Sequence, residues 1–424
     1  MSRRVEADYD VLVCGGGAAG IGAAIAAAQA GAHVCLVEKY GFLGGAATNS
    51  QVLAYCGLFQ QGEHPVAAVG GVAREVVAEL RTLGLDGEAY RSETTGNWIL
   101  RLDPEILKFA LDRLVIRHGI EVFLHTRVAA ATRTGRMIEA VTLAGMDGRR
   151  HAVAEAFVDA SGDANLAMVA GESYQVGDAE GRLQAVTMPL RIGGVAPDLP
   201  IDRARLCAVI AGYNDGGGAY PIHRTDGGII LRLPLSRDMW WLTVDLGMED
   251  LTSGSFTRAE MAGRAMAHEY VALLRREMPG FAHAYLVATG PQVGIRETRH
   301  PAARTVLTGA DVVSGRQRDD GVARAAWPIE LHGAAGRPVY TSVGGVGFAH
   351  VPYDAIRAAS LDNLWYGGRV IGADPEAYGS VRVMGTAFAT GQAAGVAATD
   401  YVERGRRVDV AGVRDRLRAQ DAII

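Results

Sequence analysis

Cysteine is scarce. The chain has four in 424 residues, Cys14, Cys35, Cys56 and Cys207, and no two fall at C-x-x-C or C-x4-C spacing. That argues against a disulfide framework, an iron–sulfur cluster and a redox dithiol. No H-x-x-x-H or Cys/His spacing suggests a metal site, and His223, His332 and His350 are scattered. A large charge of one sign is also missing. The net charge is −5, which gives no attraction to nucleic acid or to a membrane surface. There is no internal repeat and no low-complexity tail. The uncharged run from Val11 to Val37 is broken by glycines and opens with a Gly-rich turn, so it does not read as a membrane span. The leading MSRR is followed at once by Glu6, Asp8 and Asp10, which is wrong for a signal peptide. A soluble cytoplasmic protein is expected.

What is abundant is apolar surface and glycine. Hydrophobic residues make up 49% of the chain and glycine numbers 55. That suffices for one large core or two moderate ones. Residues 10–38 read as strand, turn, helix and strand. Tyr9 to Cys14 is a short apolar strand, Ala18 to Ala30 an Ala-rich helix stopped by Gly31, and Ala32 to Glu38 a second strand. Its nearly continuous apolar character suits a parallel sheet buried on both faces. Pro104 opens an amphipathic helix over 104–118, and Ile120 to Leu124 follows as a strand. The stretch 126–158 alternates like a small antiparallel meander. From about 172 to 340 prolines, aromatics and isolated charges increase and the βαβ rhythm is lost. The run Leu361 to Gly368 restores it, and a small-residue helix is expected from about Val381 to Tyr401.

The spacing Gly15-x-Gly17-x-x-Gly20 lies between that first strand and its helix. Gly15 permits the tight turn, Gly17 a close approach of a pyrophosphate, and Gly20 close packing of helix on sheet. The helix N-terminus offers free N–H groups and the positive end of its dipole. Glu38 ends the next strand, where a carboxylate can accept both hydroxyls of an adenosine ribose. Glu38 would repel the 2′-phosphate of NADP. It does not separate NAD from FAD.

The run Glu38 to Thr48 resembles the segment after the second strand in FAD-dependent oxidoreductases of the glutathione-reductase-like superfamily. The similarity is greatest to the branch called the FAD-dependent oxidoreductase family, which includes HdrA-like flavoproteins. Val158 to Asp163 resembles its central strand and turn, and Gly294 to Arg299 its G-x-R-E-T-R motif. Val351 to Tyr353, Asp362 to Arg369, Gly379 to Val383 and Thr390 to Gly395 resemble its late segments. The resemblance implies an α/β fold. A Rossmann-like FAD-binding domain would be assembled from both chain ends, 1–171 and 341–424, with an inserted α+β substrate domain over 172–340. It implies FAD, expected to be noncovalent because no His or Cys lies in a segment identifiable as a flavin attachment site. The cofactor would meet Gly15, Gly17, Ala18, Ala19 and Gly20 in the first turn, then Glu38 and Lys39, then Gly44, Gly45, Ala47 and Thr48. Val128, Gly162, Asp163, Gly368 and Arg369 would follow, with Gly379, Ser380, Val381 and Arg382 in a turn that opens the last helix. Two departures matter. Pro375 stands where the family often has His, and the HdrA-like cysteine motifs are absent.

Three residues are candidates for substrate chemistry. Arg296 and Arg299 suit bidentate binding of a carboxylate, or pair with Glu297 or Asp311 as structural ions. Tyr353 is a proton relay or a buried tyrosine with its hydroxyl satisfied. Trp240 and Trp241 sit in an alternating strand, so one faces a core and the other the substrate pocket. The expected activity is hydride transfer between a small organic substrate and flavin N5, with reoxidation by dioxygen, a quinone or a protein. No second G-x-G-x-x-G in strand–turn–helix context argues for a built-in nicotinamide site. The alternatives are an NAD-dependent dehydrogenase and an electron-transfer subunit or scaffold without its own substrate. A homo-oligomer is compatible with the sequence.

Overall fold

A computed structural model describes residues 8–333 and 336–424. Its central element is a five-stranded sheet. Strand β1 spans Tyr9–Cys14, helix α1 Ala18–Gln29 and strand β2 Val34–Val37. Across the sheet the order is Leu364–Tyr366, Ala154–Asp159, β1, β2, Glu121–Phe123. Every pairing is parallel. In chain order this is 5-4-1-2-3, a doubly wound sheet that reverses direction at β1. All residues of β2 are buried, as the absence of alternation requires. The last strand comes from near the C-terminus, so both chain ends build one sheet.

The expected meander divides. Arg127–Thr134, Met137–Gly145 and Gly148–Ala152 form a three-stranded antiparallel sheet. Ala154–Asp159 leaves it and pairs parallel to β1 instead. The reason is burial: this strand is buried at all but one position, whereas Gly148–Ala152 is exposed until its last residue. The helix at 104–118 runs over Pro104–Arg117, and the Asp103 carboxylate accepts from the Glu105 and Ile106 N–H groups. Asp103→Ala is expected to cost about 1 kcal/mol of stability, the ordinary value of such a cap. Urea unfolding checks it, and an unchanged midpoint would mean the helix is held by packing alone.

A second sheet is antiparallel, in the order Ile229–Arg232, Met239–Leu246, Val186–Gly193, Tyr285–Thr289. Helix Ser253–Glu277 lies on one face. Met266, Tyr270 and Leu274 join Met188, Leu190 and Trp241 in a second core. Leu231 and Trp240 belong to the first core, so this sheet joins the two. The buried residues of the second core lie between Val186 and Val293. Leu307, Val312, Val322 and Trp327 pack with the first, although their surroundings share the proline- and aromatic-rich texture of 172–340.

The helix expected over 381–401 is Met384–Glu403. It is preceded by a separate helix, Pro375–Val381, capped by Asp374 with proline in its first turn. Gly379, Ser380 and Val381 therefore lie inside a helix and not in a turn. Asp374-Pro375 is a start signal that the sequence carried plainly. The long helix packs on α1 through small residues. A Cβ at Gly391 would stand 2.0 Å from the Ala19 carbonyl oxygen, and one at Gly395 2.1 Å from that of Ala23. Among the described residues, no helix is long and apolar enough to cross a membrane.

Candidate functional site

The carboxyl ends of the parallel strands converge on one cleft. It is lined by Gly15, Gly17, Ala18 and Ala19 after β1, and by Glu38, Lys39 and Tyr40 after β2. Ala160 to Asp163 and Gly367 to Arg369 line it from the next two strands, together with Gly45, Arg382 and Met384. About 750 Å³ of non-atom space, part of it open to solvent, lies within. The switch point of a doubly wound sheet is where such folds bind dinucleotides.

The three motif glycines differ in what requires them. A Cβ on Gly20 would stand 1.7 Å from the Gly15 carbonyl oxygen, so the packing of α1 on β1 forbids a side chain there. Gly17 has ordinary extended dihedrals, φ −76° and ψ −174°. The nearest atom to its virtual Cβ is Gly45 Cα at 3.5 Å. Nothing within the protein forbids a side chain at 17. Only a group lying against the turn would.

Glu38 is buried at the end of β2. Its Oε2 accepts from Gly16 N at 2.7 Å and its Oε1 from Tyr40 N at 3.0 Å. Burial raises its pKa, against those two bonds. Each oxygen keeps a second lone pair, enough for two ribose hydroxyls. Thr126, Arg127 and Val128 line a neighbouring hollow that also touches Glu38. That hollow adjoins the cleft at Gly15, Glu38, Lys39 and Ser161. Asp163 sits between cations, with Arg369 at 2.7 Å and Lys39 at 3.5 Å. Burial alone would raise its pKa; the Arg369 and Lys39 charges and the Arg369 and Thr298 hydrogen bonds outweigh it and leave it lowered. Arg369 Nε is buried without a partner. The donor set, the open turn at Gly17 and the elongated cleft fit a bound FAD.

Other expected contacts lie elsewhere. Ala47 is fully buried in the first core, and the Thr48 hydroxyl donates to the Leu43 carbonyl. Neither lines the cleft, nor do Gly44 and Gly20. Gly379 and Ser380 brace another segment. A Cβ at Gly379 would meet the Glu330 backbone at 2.9 Å, and the Ser380 hydroxyl donates to the Trp327 carbonyl. Val381 is buried in the core, while Arg382 lines the cleft. The break at Arg382–Val383 puts the N-terminus of the long helix, Met384 and Ala387, against the cleft.

A larger cavity adjoins it, with about 1080 Å³ of non-atom space including an open mouth. Ile229, Leu231, Trp240 and Leu242 of the second sheet form one wall. Ala46, Ile295, Arg369, Arg382 and Met384 line both spaces, so the two adjoin at these residues. Trp240 faces this cavity and donates to the Gln51 carbonyl. Trp241, one residue on, is in the second core and donates to Gly227.

Arg296 and Arg299 lie on a non-helical stretch and point apart, as extended backbone requires at i, i+3. Arg296 lines the cavity, donates to the Ala185 carbonyl and pairs with buried Asp245 at 3.4 Å. Arg299 lines neither space. It donates to the Asp163 carbonyl at 2.9 Å and lies over the Tyr174 ring. Neither pairs with Glu297 or Asp311. Glu297 holds His300, and Asp311 holds Arg316. Tyr353 also lines neither space, and its hydroxyl accepts from the Trp365 indole at 3.3 Å.

The cavity wall contains a polar cluster that sequence reasoning missed. Glu330 Oε1 faces His332 Nε2 at 2.9 Å and accepts the Tyr340 hydroxyl at 3.0 Å. Its Oε2 accepts the Trp327 indole at 3.0 Å, and Arg382 donates to its carbonyl. Glu330 and His332 share a face because they are two apart on an extended segment, Ile329–Leu331 and its continuation. That alternation was readable; that the segment borders the cleft was not.

Solved structures similar to this chain are remote. A geranylgeranyl bacteriochlorophyll reductase-like protein from Thermoplasma acidophilum is 13% identical, with 97% of this chain and 83% of that one covered and a TM-score of 0.49. The p-nitrophenol 4-monooxygenase PnpA from Pseudomonas putida DLL-E4 is 11% identical, with 98% and 86% covered and a TM-score of 0.49. AlpK is 14% identical with a TM-score of 0.46; the match covers 94% of this chain and spans only 63% of that one. No curated protein matches. The family model described as FAD dependent oxidoreductase matches residues 10–417, and the chain belongs to that family of FAD-dependent enzymes.

Proposed function

We propose that the chain oxidises or reduces a small organic molecule held in the apolar cavity, and that an external acceptor or donor completes the cycle. The observation that carries this reading is that the cavity adjoins the dinucleotide cleft at Ala46, Ile295, Arg369, Arg382 and Met384. Bound in the cleft, FAD supplies a two-electron centre that takes or gives hydride. Glu38 would hold the adenosine ribose, the turn at Gly17 the pyrophosphate, and the N-terminus of helix Met384–Glu403 the electron-rich edge of the ring system. Ile229, Leu231, Trp240 and Leu242 exclude water from the reacting atoms, and Arg296 orients a polar or anionic substrate group. Residues 1–171 and 341–424 would carry the cofactor and 172–340 would cover it, with part of that stretch packed into the first core. The motifs support placement beside the HdrA-like branch, without its cysteine chemistry.

The test is an anaerobic screen of small metabolites against the FAD-loaded protein, followed by flavin absorbance. A protein that dithionite bleaches but no small molecule does would favour an electron-transfer subunit. The two arginines give a sharper prediction. Arg296→Lys removes the planar fork at the cavity and is expected to raise KM about 10-fold or more, with FAD content near normal. Arg299→Lys loosens the Asp163 turn and is expected to lower FAD occupancy, with little change in KM for the loaded fraction. Steady-state kinetics normalised to bound flavin distinguish them. Equal effects on KM would remove Arg296 from the substrate site.

A further inference from the structure

Strand Met239–Leu246 carries one ionisable side chain, Asp245, and buries it to 1% exposure. A carboxylate there costs free energy unless it is paired. Two of its partners belong to the cavity wall. Thr187 stands opposite it on Val186–Gly193, and the Thr187 hydroxyl donates to Asp245 Oδ1. Arg296 Nη2 donates to the same oxygen at 3.4 Å. Thr187 also exchanges two backbone hydrogen bonds with Gly294, at 3.0 and 2.6 Å, which fixes the segment that carries Arg296. Thr187, Gly294 and Arg296 line the cavity, and Asp245 does not. Burial is the largest influence on the Arg296 guanidinium and lowers its pKa; Asp245 is the largest opposing one. Arg224 also feels the Asp245 charge, but it is paired with Asp226 at 2.8 Å.

The charges around the cavity sum to about zero. Among the described residues, three guanidiniums line it, Arg296, Arg369 and Arg382, with one carboxylate, Glu330. Asp163 balances Arg369 at 2.7 Å, and Asp245 balances Arg296. Arg382 donates to the Glu330 carbonyl. Burial opposes ionisation of the Glu330 carboxyl, but the His332 hydrogen bond and charge, together with Arg382, outweigh it. Burial first, then the Arg296 charge, hold the His332 pKa at about 4, so the ring is neutral at neutral pH. Burial likewise keeps the Cys56 thiol and the Tyr340 hydroxyl protonated.

We infer that Asp245 makes the cavity selective for an uncharged substrate: it cancels the Arg296 charge, so that Arg296 serves as a hydrogen-bond donor to a neutral group and not as the counter-ion of a carboxylate. This rests on the cavity being the substrate site, and it narrows the group expected at Arg296. An entering carboxylate gives up its water, and the pull of Arg296 on it is offset by the push of Asp245 behind. A neutral alcohol, aldehyde, ketone or amide loses less hydration and meets the same donor. The apolar wall of Ile229, Leu231, Trp240 and Leu242 suits the rest of such a molecule. Asp245 is a positioning residue in this scheme, since it acts only through Arg296 and Thr187.

Probes of one shape and different charge test this on the FAD-loaded protein. Benzamide is compared with benzoate, and hexanamide with hexanoate, with binding read from the change in flavin absorbance. The wild type is expected to bind each amide roughly 10-fold or more tighter than its acid. Asp245→Asn keeps an oxygen for the Thr187 and Arg296 hydrogen bonds and removes the charge. It is expected to tighten the acids and to shift the amide-to-acid ratio toward them by roughly 10-fold or more, with FAD content kept. A purely structural role for Asp245 would weaken both members of a pair alike, and an unchanged ratio overturns the inference. Should Asp245→Asn fail to fold, Arg296→Gln shifts the balance the other way and is expected to widen the ratio; there too an unchanged ratio overturns it. Wild-type protein that binds an acid as tightly as its amide overturns the inference and leaves the proposed function standing. If none of the four probes binds, the cavity is not a site for small organic molecules and both fall.

Discussion

Gly20→Ala is expected to abolish folding or cost well over 3 kcal/mol, whereas Gly17→Ala should fold normally and lose FAD. The two positions lie three residues apart in one turn, but different neighbours forbid a side chain at each. At Gly20 the obstacle is the Gly15 carbonyl oxygen, 1.7 Å from the added carbon. That atom is backbone in the tight turn off β1, so relief requires α1 to move off the sheet. Overpacking of ordinary core sites costs roughly 1–3 kcal/mol, and a rigid backbone obstacle lies above that range. At Gly17 the nearest atom is 3.5 Å away and the dihedrals suit any residue. The added methyl meets only what lies against the turn. A clash of roughly 1–3 kcal/mol there weakens FAD about 5- to 150-fold. Urea unfolding of the apoproteins and FAD titration separate the cases. A Gly17→Ala protein with wild-type affinity would show that the pyrophosphate does not cross this turn.

Asp163→Ala is expected to destabilise the apoprotein by roughly 3 kcal/mol and to lower FAD occupancy. Asp163 balances Arg369 at 2.7 Å and Lys39 at 3.5 Å, and it accepts the Thr298 hydroxyl. Lys39 is 40% exposed at its side chain and loses little when the partner goes. Arg369 is 20% exposed, already has an unpartnered Nε, and would lose its counter-ion. Its guanidinium packs beside Gly162, where a Cβ would stand 2.7 Å from its central carbon. A displaced Arg369 therefore disturbs the cleft as well as the core. The carboxyl pKa is lowered, so its contribution is full above the ordinary value of 3.8 and shrinks as pH falls further. A double mutant with Arg369→Met should cost less than the sum of the single changes. Strict additivity would mean that the two side chains do not depend on one another.

The cleft proposed for the cofactor was legible because local sequence decides it. A glycine turn between an apolar strand and an Ala-rich helix, then a carboxylate at the end of the next strand, prescribes the cleft before any long-range contact is known. The return of the chain at Leu364–Tyr366 was legible through its texture and its resemblance to a known family. The proposed substrate cavity was legible only in part. Arg296 was a candidate from the sequence, but that the segment holding Glu330, His332 and Tyr340 packs against it on one wall is a matter of tertiary structure. Ala47 and Thr48 were placed on the cofactor by similarity, but their side chains face the core and the Leu43 carbonyl. Tyr353 followed a motif, and its hydroxyl meets Trp365. The meander was misdivided at Ala154 because alternation was weighed over a window, while burial changes there within two residues.

A crystal structure of the FAD-loaded protein tests the central claim most directly. The account predicts the adenosine ribose on Glu38, the pyrophosphate over Gly17, and the reactive ring at the junction lined by Arg369, Arg382 and Met384, with one face open to the cavity of Trp240 and His332. A ring lying outside that junction, or turned so that protein separates it from the cavity, would contradict it.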